Sequence, residues 1–486
     1  MDLALPFSAG ELVFIGVYLL SLIVVGYFGL RAREETSLRD FYLAGRGVGM
    51  LVLLLTLYST QYSGNTLFGF SSKAYHVGFQ WLVCVHFMTA IVIVYLMLAP
   101  RLYAVAREHQ FITPADYLRH RYGSLTLATF ASLLMMFALA NFLIAQLKAL
   151  GIALEGFAPE TPDQAYVVGV ISLALIIVIY ESLGGFRSVA WTDAIQGSVL
   201  MVGFVVLLVI VMQRFGPLSE ITQILAKEAP EKIAPPSANG VREWISWVLL
   251  VGFGGALYPQ AIQRIFAARS AKALRVSLSI MAFLPLTTTL IAVLFGVTAA
   301  ARMGAGIEGE HVLTVVLNEI HQSSQLGRWL VVVLFSAILA ALMSTADSVV
   351  LSLSSMVTKD FVAVARPNWS QRRLTYVGKI CSWVVIAIAA AIAIRLRETG
   401  LVTLLKIKFE LLTQLVPAFF LGLHWRRAKA SPVLAGMLVG VAIALLMVLV
   451  GTPKPFGIHA GLYGLVANLA VAVVGSVIIR STTGHR

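Results

Sequence analysis

Apolar stretches of membrane-crossing length, cut by short charged breaks, run along the whole of this 486-residue chain. A helix needs roughly 20 apolar residues to span a bilayer. Reading the runs against the breaks gives thirteen segments, at about 11–30, 47–72, 78–99, 125–149, 165–183, 189–213, 243–267, 274–299, 327–356, 374–394, 400–423, 430–451 and 461–479. In hydrocarbon every backbone polar group must be satisfied internally, so the expected fold class is an all-α polytopic membrane protein. Composition agrees: 59% of the residues are hydrophobic and 12% charged. A soluble enzyme of that make-up would expose too much apolar surface, and a disordered chain would carry far more charge. The breaks at 214–242 and 300–326 are too short for a soluble domain. Cys84 and Cys381 lie in apolar stretches without metal-ligand spacing, and are expected to be buried small hydrophobes. No basic n-region precedes the first apolar run, so that run is expected to stay as a helix.

A net charge of +13 would point to nucleic acid in a soluble protein. Here the position of the charges decides. Thirteen crossings put the two ends on opposite sides. With the C-terminus cytoplasmic, 22 of the 36 Lys and Arg residues fall inside and 11 outside, while Lys379, Lys406 and Lys408 fall within segments. The positive-inside rule then places the N-terminus outside and the C-terminus in the cytoplasm. The basic excess reads as a topology signal and a partner for the anionic lipid of the bilayer. Nucleic acid is not an expected partner.

Two segments are interrupted. Segment 2 carries Ser59-Thr60-Gln61-Tyr62-Ser63-Gly64-Asn65-Thr66, eight residues without an aliphatic side chain. Segment 7 carries Gly252-Phe253-Gly254-Gly255 and then Tyr258-Pro259-Gln260, where proline breaks or kinks a helix. Small residues also serve close helix packing. Two interruptions five segments apart, however, are what a five-plus-five inverted repeat with a midplane site predicts. Unwound backbone there frees carbonyls for a cation and N–H groups for an anion.

Segment 9 holds Ala341, Ser344, Thr345, Asp347 and Ser348 in one run. Hydroxyl and carbonyl oxygens are hard, neutral ligands suited to an alkali cation. Ser and Thr can equally back-bond to the preceding turn. Charges inside the membrane are costly and mark function. Among them are Asp193 in segment 6, Asp347, and the group Lys406, Lys408 and Glu410 in segment 11. Lys406 and Glu410 are spaced to pair along a helix, which leaves Lys408 on another face to meet an anionic substrate or to snorkel outward.

The run Tyr180–Gly197 (YESLGGFRSVAWTDAIQG), the run Ala341–Ser348 (ALMSTADS), and Gln263-Arg264 followed by Ala267-Ala268-Arg269-Ser270 resemble the signatures of the sodium:solute symporter family. The resemblance covers essentially the whole chain. It implies a LeuT-type core with broken helices 2 and 7, and a sodium ion as coupling ion. The implied sodium ligands are the carbonyls of Ser59, Tyr62 and Ala341 and the hydroxyls of Ser344 and Thr345. Asp193 matches an acid near the ion's exit path, and Asp347 and Ser348 match positions of a second cation site in some members. The implied substrate residues are Gln61, Ser63, Gly64 and Asn65 of segment 2 and Phe253, Gly255, Tyr258 and Gln260 of segment 7. Segments 3 and 11 close the site, the latter with Lys406, Lys408 and Gln414. One departure stands out: Gln61 occupies the place where proline carriers have an aspartate. No full negative charge is available there for a substrate amine.

The expectation is therefore not an enzyme but a sodium-coupled symporter importing a small organic solute by alternating access. Lys406 and Lys408 favour a carboxylate. A proton-coupled symporter using Asp193 or Asp347 is the nearest alternative. A transporter-fold sensor is a weaker one, since it would need an attached signalling domain. The expected division is 1–46 (first helix and loop), 47–213 (first five-helix repeat), 243–423 (second repeat) and 424–486 (two further helices). The implied setting is a monomer in the bacterial inner membrane.

Overall fold

The computed structural model describes residues 7–32, 37–304, 306–307 and 309–479. Arg33, Arg480 and Arg486, counted above among the inward cations, and the side chains of Tyr180 and Glu181 lie outside what it describes. Among the described residues there is no strand. Among the described residues ten helices are long and apolar enough to cross a bilayer, or eleven if one bent pair counts as a single span. The protein is an all-helical, multi-pass membrane protein.

After α1 (Ala9–Arg31), α2 (Met50–Gln61) ends where the polar run begins. Tyr62 turns extended (φ −99°, ψ 115°), and the chain resumes through a five-residue π turn, Asn65–Gly69, into α3 (Phe70–Val77). Serine, asparagine and glycine compete with or loosen the helical ladder, so the break sits where they cluster. Gly78 (φ 68°) turns the chain toward α4 (Val83–Glu108), and α5 (Leu125–Phe157) starts under a Ser124 cap. Segments 5 and 6 are two helical stretches that follow one another directly, together α6 (Pro162–Phe215), and they meet at a corner at Gly185. That corner needs glycine: φ is 65°, and a Cβ would stand 2.5 Å from the Phe41 carbonyl oxygen.

The second interruption separates α7 (Ala238–Gly255) from α8 (Pro259–Ala267), with a bend of 51°. Pro259 opens α8, where its missing N–H costs nothing. Then come α9 (Ala271–Met281), α10 (Thr289–Arg302), α11 (Val312–Ser323) and α12 (Gln325–Met356). The chain ends in α13 (Gln371–Arg395), α14 (Leu401–Leu412), α15 (Val416–His424), α16 (Ala430–Leu449) and α17 (Ala460–Ile478). Both long breaks carry helix: Leu218–Glu228 lies in the first and α11 in the second. Cys84 is buried as expected, but Cys381 is only half-buried, on the outward-facing α13.

Helix α12 lies at the centre. In its most apolar stretch 83% of the residues are buried inside the protein, against 28% for α13, so α12 is ringed by protein while α13 faces outward. Hydrogen bonds and ion pairs tie elements together on both faces. On one face, called lower here, Val48 N–H donates to the Ala267 carbonyl (3.2 Å) and Arg269 N–H to the Val48 carbonyl (2.9 Å). These bonds tie the start of α2 to the end of α8. On the upper face Arg397 pairs with Glu155 (2.6 Å) and Asp163 (2.5 Å), and Leu401 N–H donates to Glu310 (2.6 Å).

Candidate functional site

A helical carbonyl is released when the N–H four residues on turns elsewhere. At the α2 break Ser63 N–H turns to Thr66 Oγ1 (3.4 Å) and Gly64 N–H to Gln146 Oε1 (2.9 Å). The carbonyls of Ser59 and Thr60 thereby leave the ladder. The Ser59 carbonyl accepts the Thr345 hydroxyl of α12 at 3.2 Å. Ser59, Tyr62, Ala341, Ser344 and Thr345 are all buried. Tyr62 closes α2, its N–H on the Tyr58 carbonyl (3.1 Å), so its own carbonyl lies past the helix end. Helix α12 runs unbroken through Ala341, whose carbonyl therefore stays at a ladder position instead of being freed.

Beside this set lies Asp193, on α6 and fully buried. Ser344 Oγ donates to its Oδ1 (2.5 Å), Thr56 Oγ1 donates to Oδ2, and Arg264 Nη2 pairs with Oδ2 (2.9 Å). Arg264 of α8 also donates to Thr56 Oγ1 (2.9 Å), to the Gln260 carbonyl (3.0 Å) and to Ser348 Oγ. Ser348 in turn contacts Thr60 Oγ1 (3.2 Å), and Asp347 is buried beside it in sequence. One hydroxyl, Ser344, thus links the α2–α12 set to the carboxylate. A second cation arriving at Asp193 has to compete with the guanidinium already there.

Between the two helix breaks lies a small cavity lined by Gln61, Ser63, Asn65, Thr66, Tyr258 and Lys408, with Phe70, Met88, Ile91, Phe142, Val251, Leu405 and Phe409 as its apolar walls. Its volume is about 20 Å³, room for a single water. Larger clefts of about 260 and 240 Å³ open on the upper face around Trp244 and Lys454 and on the lower face around Arg187 and Trp191. Both lie at the faces, so the small space at the breaks, walled almost wholly by buried side chains, is the better candidate for a specific site. Lys408 Nζ is buried there, 3.5 Å from the centre of the Phe142 ring and 5.4 Å from those of Tyr258 and Phe409.

The remaining expected residues disperse. Gly64 meets Gln146 through its backbone, and the Gly255 carbonyl accepts the Tyr95 hydroxyl (2.9 Å). Gln260 lies beside Arg264, and Phe253 is half-buried against Phe420. Gln414 faces away from the cavity, donating to the Gly461 carbonyl (2.8 Å) of α17. Glu410 also turns to α17, accepting the Gly461 N–H, and Lys406 is half-buried outside the cavity lining. Thr56, Gln146, Phe142 and Met88 were not singled out from the sequence. Arg264 appeared only as part of a motif, and its adjacency to Asp193 was not visible.

The family model of the sodium:solute symporters matches residues 41–440. The sodium/pantothenate symporter of Escherichia coli K12 is 27% identical over 94% of this chain and 94% of its own length. The sodium/proline symporter of the same organism is 25% identical over 97% of this chain and 93% of its own. Among solved structures, a Na+-coupled sialic acid symporter in a substrate-bound outward-open state has a TM-score of 0.79 at 19% identity, covering 96% of this chain and 98% of that one. MhsT in complex with L-phenylalanine has a TM-score of 0.55 at 14% identity, covering 88% and 98%. At such identities the structural likeness speaks for the fold alone, the LeuT-type arrangement of transporters. The family match spans most of the chain, and with it this protein belongs to the sodium:solute symporter family, secondary transporters that use sodium as coupling ion and are not enzymes.

Proposed function

We propose that this protein imports a small organic solute together with sodium by alternating access. The carrying observation is the released Ser59 carbonyl facing the Thr345 hydroxyl across the broken α2, with Ser344 alongside. Sodium bound by Ser59, Tyr62, Ala341, Ser344 and Thr345 would hold α2 against α12 and order the cavity at the breaks. The substrate would sit against Gln61, Ser63, Asn65, Tyr258 and Lys408, with Gly64, Gly255, Phe253, Gln260, Lys406 and Gln414 in supporting positions. Linkage requires that substrate raise sodium affinity as much as sodium raises substrate affinity. Ser344 and Asp193 would then form the first step of the ion's way out toward the lower face, with Asp347 and Ser348 beside it.

The same proposal takes the chain as thirteen crossings, with 47–213 and 243–423 as inverted five-helix repeats and 1–46 and 424–486 as flanking parts. The excess of cationic residues supports an outside N-terminus, a cytoplasmic C-terminus and, with bacterial relatives, the inner membrane as its place. It is taken to work as a monomer. The test is solute uptake into proteoliposomes with and without an inward sodium gradient. Sodium-dependent uptake that falls in Ser344→Ala and Thr345→Ala is expected; uptake driven by a proton gradient and indifferent to sodium would replace this reading with proton coupling.

A further inference from the structure

Lys408 buries its amine where no acid stands to answer a charge. Its Nζ is fully buried and makes no hydrogen bond. The rings of Phe142, Tyr258 and Phe409 surround it. A ring face attracts an ammonium, but it returns less than the loss of water costs. The same cavity contains Asn65, whose side-chain amide has neither its donor nor its acceptor engaged. No Asp or Glu lines the cavity. Two unsatisfied donors therefore line one small cavity whose walls carry no anion.

We infer that the transported solute is a small monocarboxylate without an amine, its carboxylate received by Lys408 and Asn65. This rests on the reading of the cavity as the substrate site. An ammonium on the solute would meet Lys408 with like charge and find no acid to balance it. A sugar or polyol would leave Lys408 unpaired and would meet mostly apolar walls, where its hydroxyls would lose hydrogen bonds. Met88, Ile91, Val251 and Leu405 suit an aliphatic or aromatic body in place of a polyhydroxylated one. The cavity must widen to admit even a short acid, so the carboxylate enters while one face is open and draws the rings closed around it.

The test uses the full-length protein, purified, with propionate and benzoate as probes, propionamide and benzamide as their neutral counterparts, and L-proline as the amine-bearing comparison. In sodium, the acids are expected to raise the melting temperature and to be taken up into proteoliposomes, while the amides and proline do neither. Lys408→Met should weaken acid binding by about 30-fold, the scale of losing one charge-assisted hydrogen bond. Lys408→Arg should retain part of it. Stabilisation by sodium alone reports on folding and on the α2–α12 set, and should persist in both variants. Amides acting as well as acids, wild-type acid affinity in Lys408→Met, or no response to any acid would overturn the inference. Acid binding that ignores sodium would leave it standing and sink the sodium coupling instead. Should Lys408→Met not fold, the acid-against-amide comparison on the unaltered protein still decides.

Discussion

Asp193 and Arg264 neutralise each other where neither can reach water. Removing one member of a buried pair typically costs about 3–5 kcal/mol because the other charge is stranded. Asp193→Asn is accordingly expected to lower the thermal unfolding temperature strongly, and Asp193→Asn with Arg264→Gln to recover much of it; equal instability of single and double variants would contradict the pairing. The sodium residues make a separate prediction. Ser344→Ala and Thr345→Ala should each raise the sodium concentration for half-maximal uptake by about tenfold or more, the scale of one lost ligand oxygen, with Thr345→Ser nearly harmless. At this scale the sequence was partly readable. Ser344, Thr345 and Asp193 stood out as polar residues in apolar runs, and they do converge. Lys408 stood out as a charge, but the rings of Phe142 on α5 and Tyr258 at the α7–α8 break reach it from far along the chain, and no spacing along α14 announces them.

Whole helices were easier to foresee where local chemistry sets the geometry. The breaks in α2 and between α7 and α8 follow from serine, asparagine, glycine and proline, and they fall where those residues cluster. Partners across space were not readable. Gln414, expected near the substrate, fastens the α14–α15 junction to α17, a contact that no spacing announces. Gln146 drew no notice, yet it holds the Gly64 N–H that the break leaves over. Gln146→Leu should destabilise the protein by about 1–3 kcal/mol, since a buried donor then goes unpaired. A thermal melt and a sodium titration would check this, with the sodium effect diminished in step. Packing imposes limits of another kind. A Cβ on Gly296 of α10 would strike the backbone carbonyl of Ser71 on α3, which no rotamer change relieves. Gly296→Ala is expected to cost about 1–3 kcal/mol as overpacking, read as a lower melting temperature.

The molecule as a whole is tied together at both faces. On the upper face Glu310 lies between α10 and α11, and burial pushes its carboxyl up to about 7 from 4.5, with the Leu401 N–H and Lys148 pulling the other way. The closed form therefore holds the Glu310 proton more tightly than an open, solvated form would. Its contribution to closure is complete below about pH 4.5 and is lost as pH rises through about 7. Upper-face opening, followed by a fluorophore on that face, should increase over this window, and Glu310→Gln should flatten the profile. Closure on the lower face works differently. The two bonds between Val48 and the chain at Ala267 and Arg269 use only main-chain atoms. Such a latch is invisible to any comparison of side chains and tolerant of almost any residue at its three positions. Two exchanged backbone bonds contribute roughly 1–3 kcal/mol, a hold that the binding of a solute or an ion can outweigh. Random mutagenesis would pass over the fastening, because among the ordinary amino acids proline alone removes the N–H, at position 48 or 269, that it depends on.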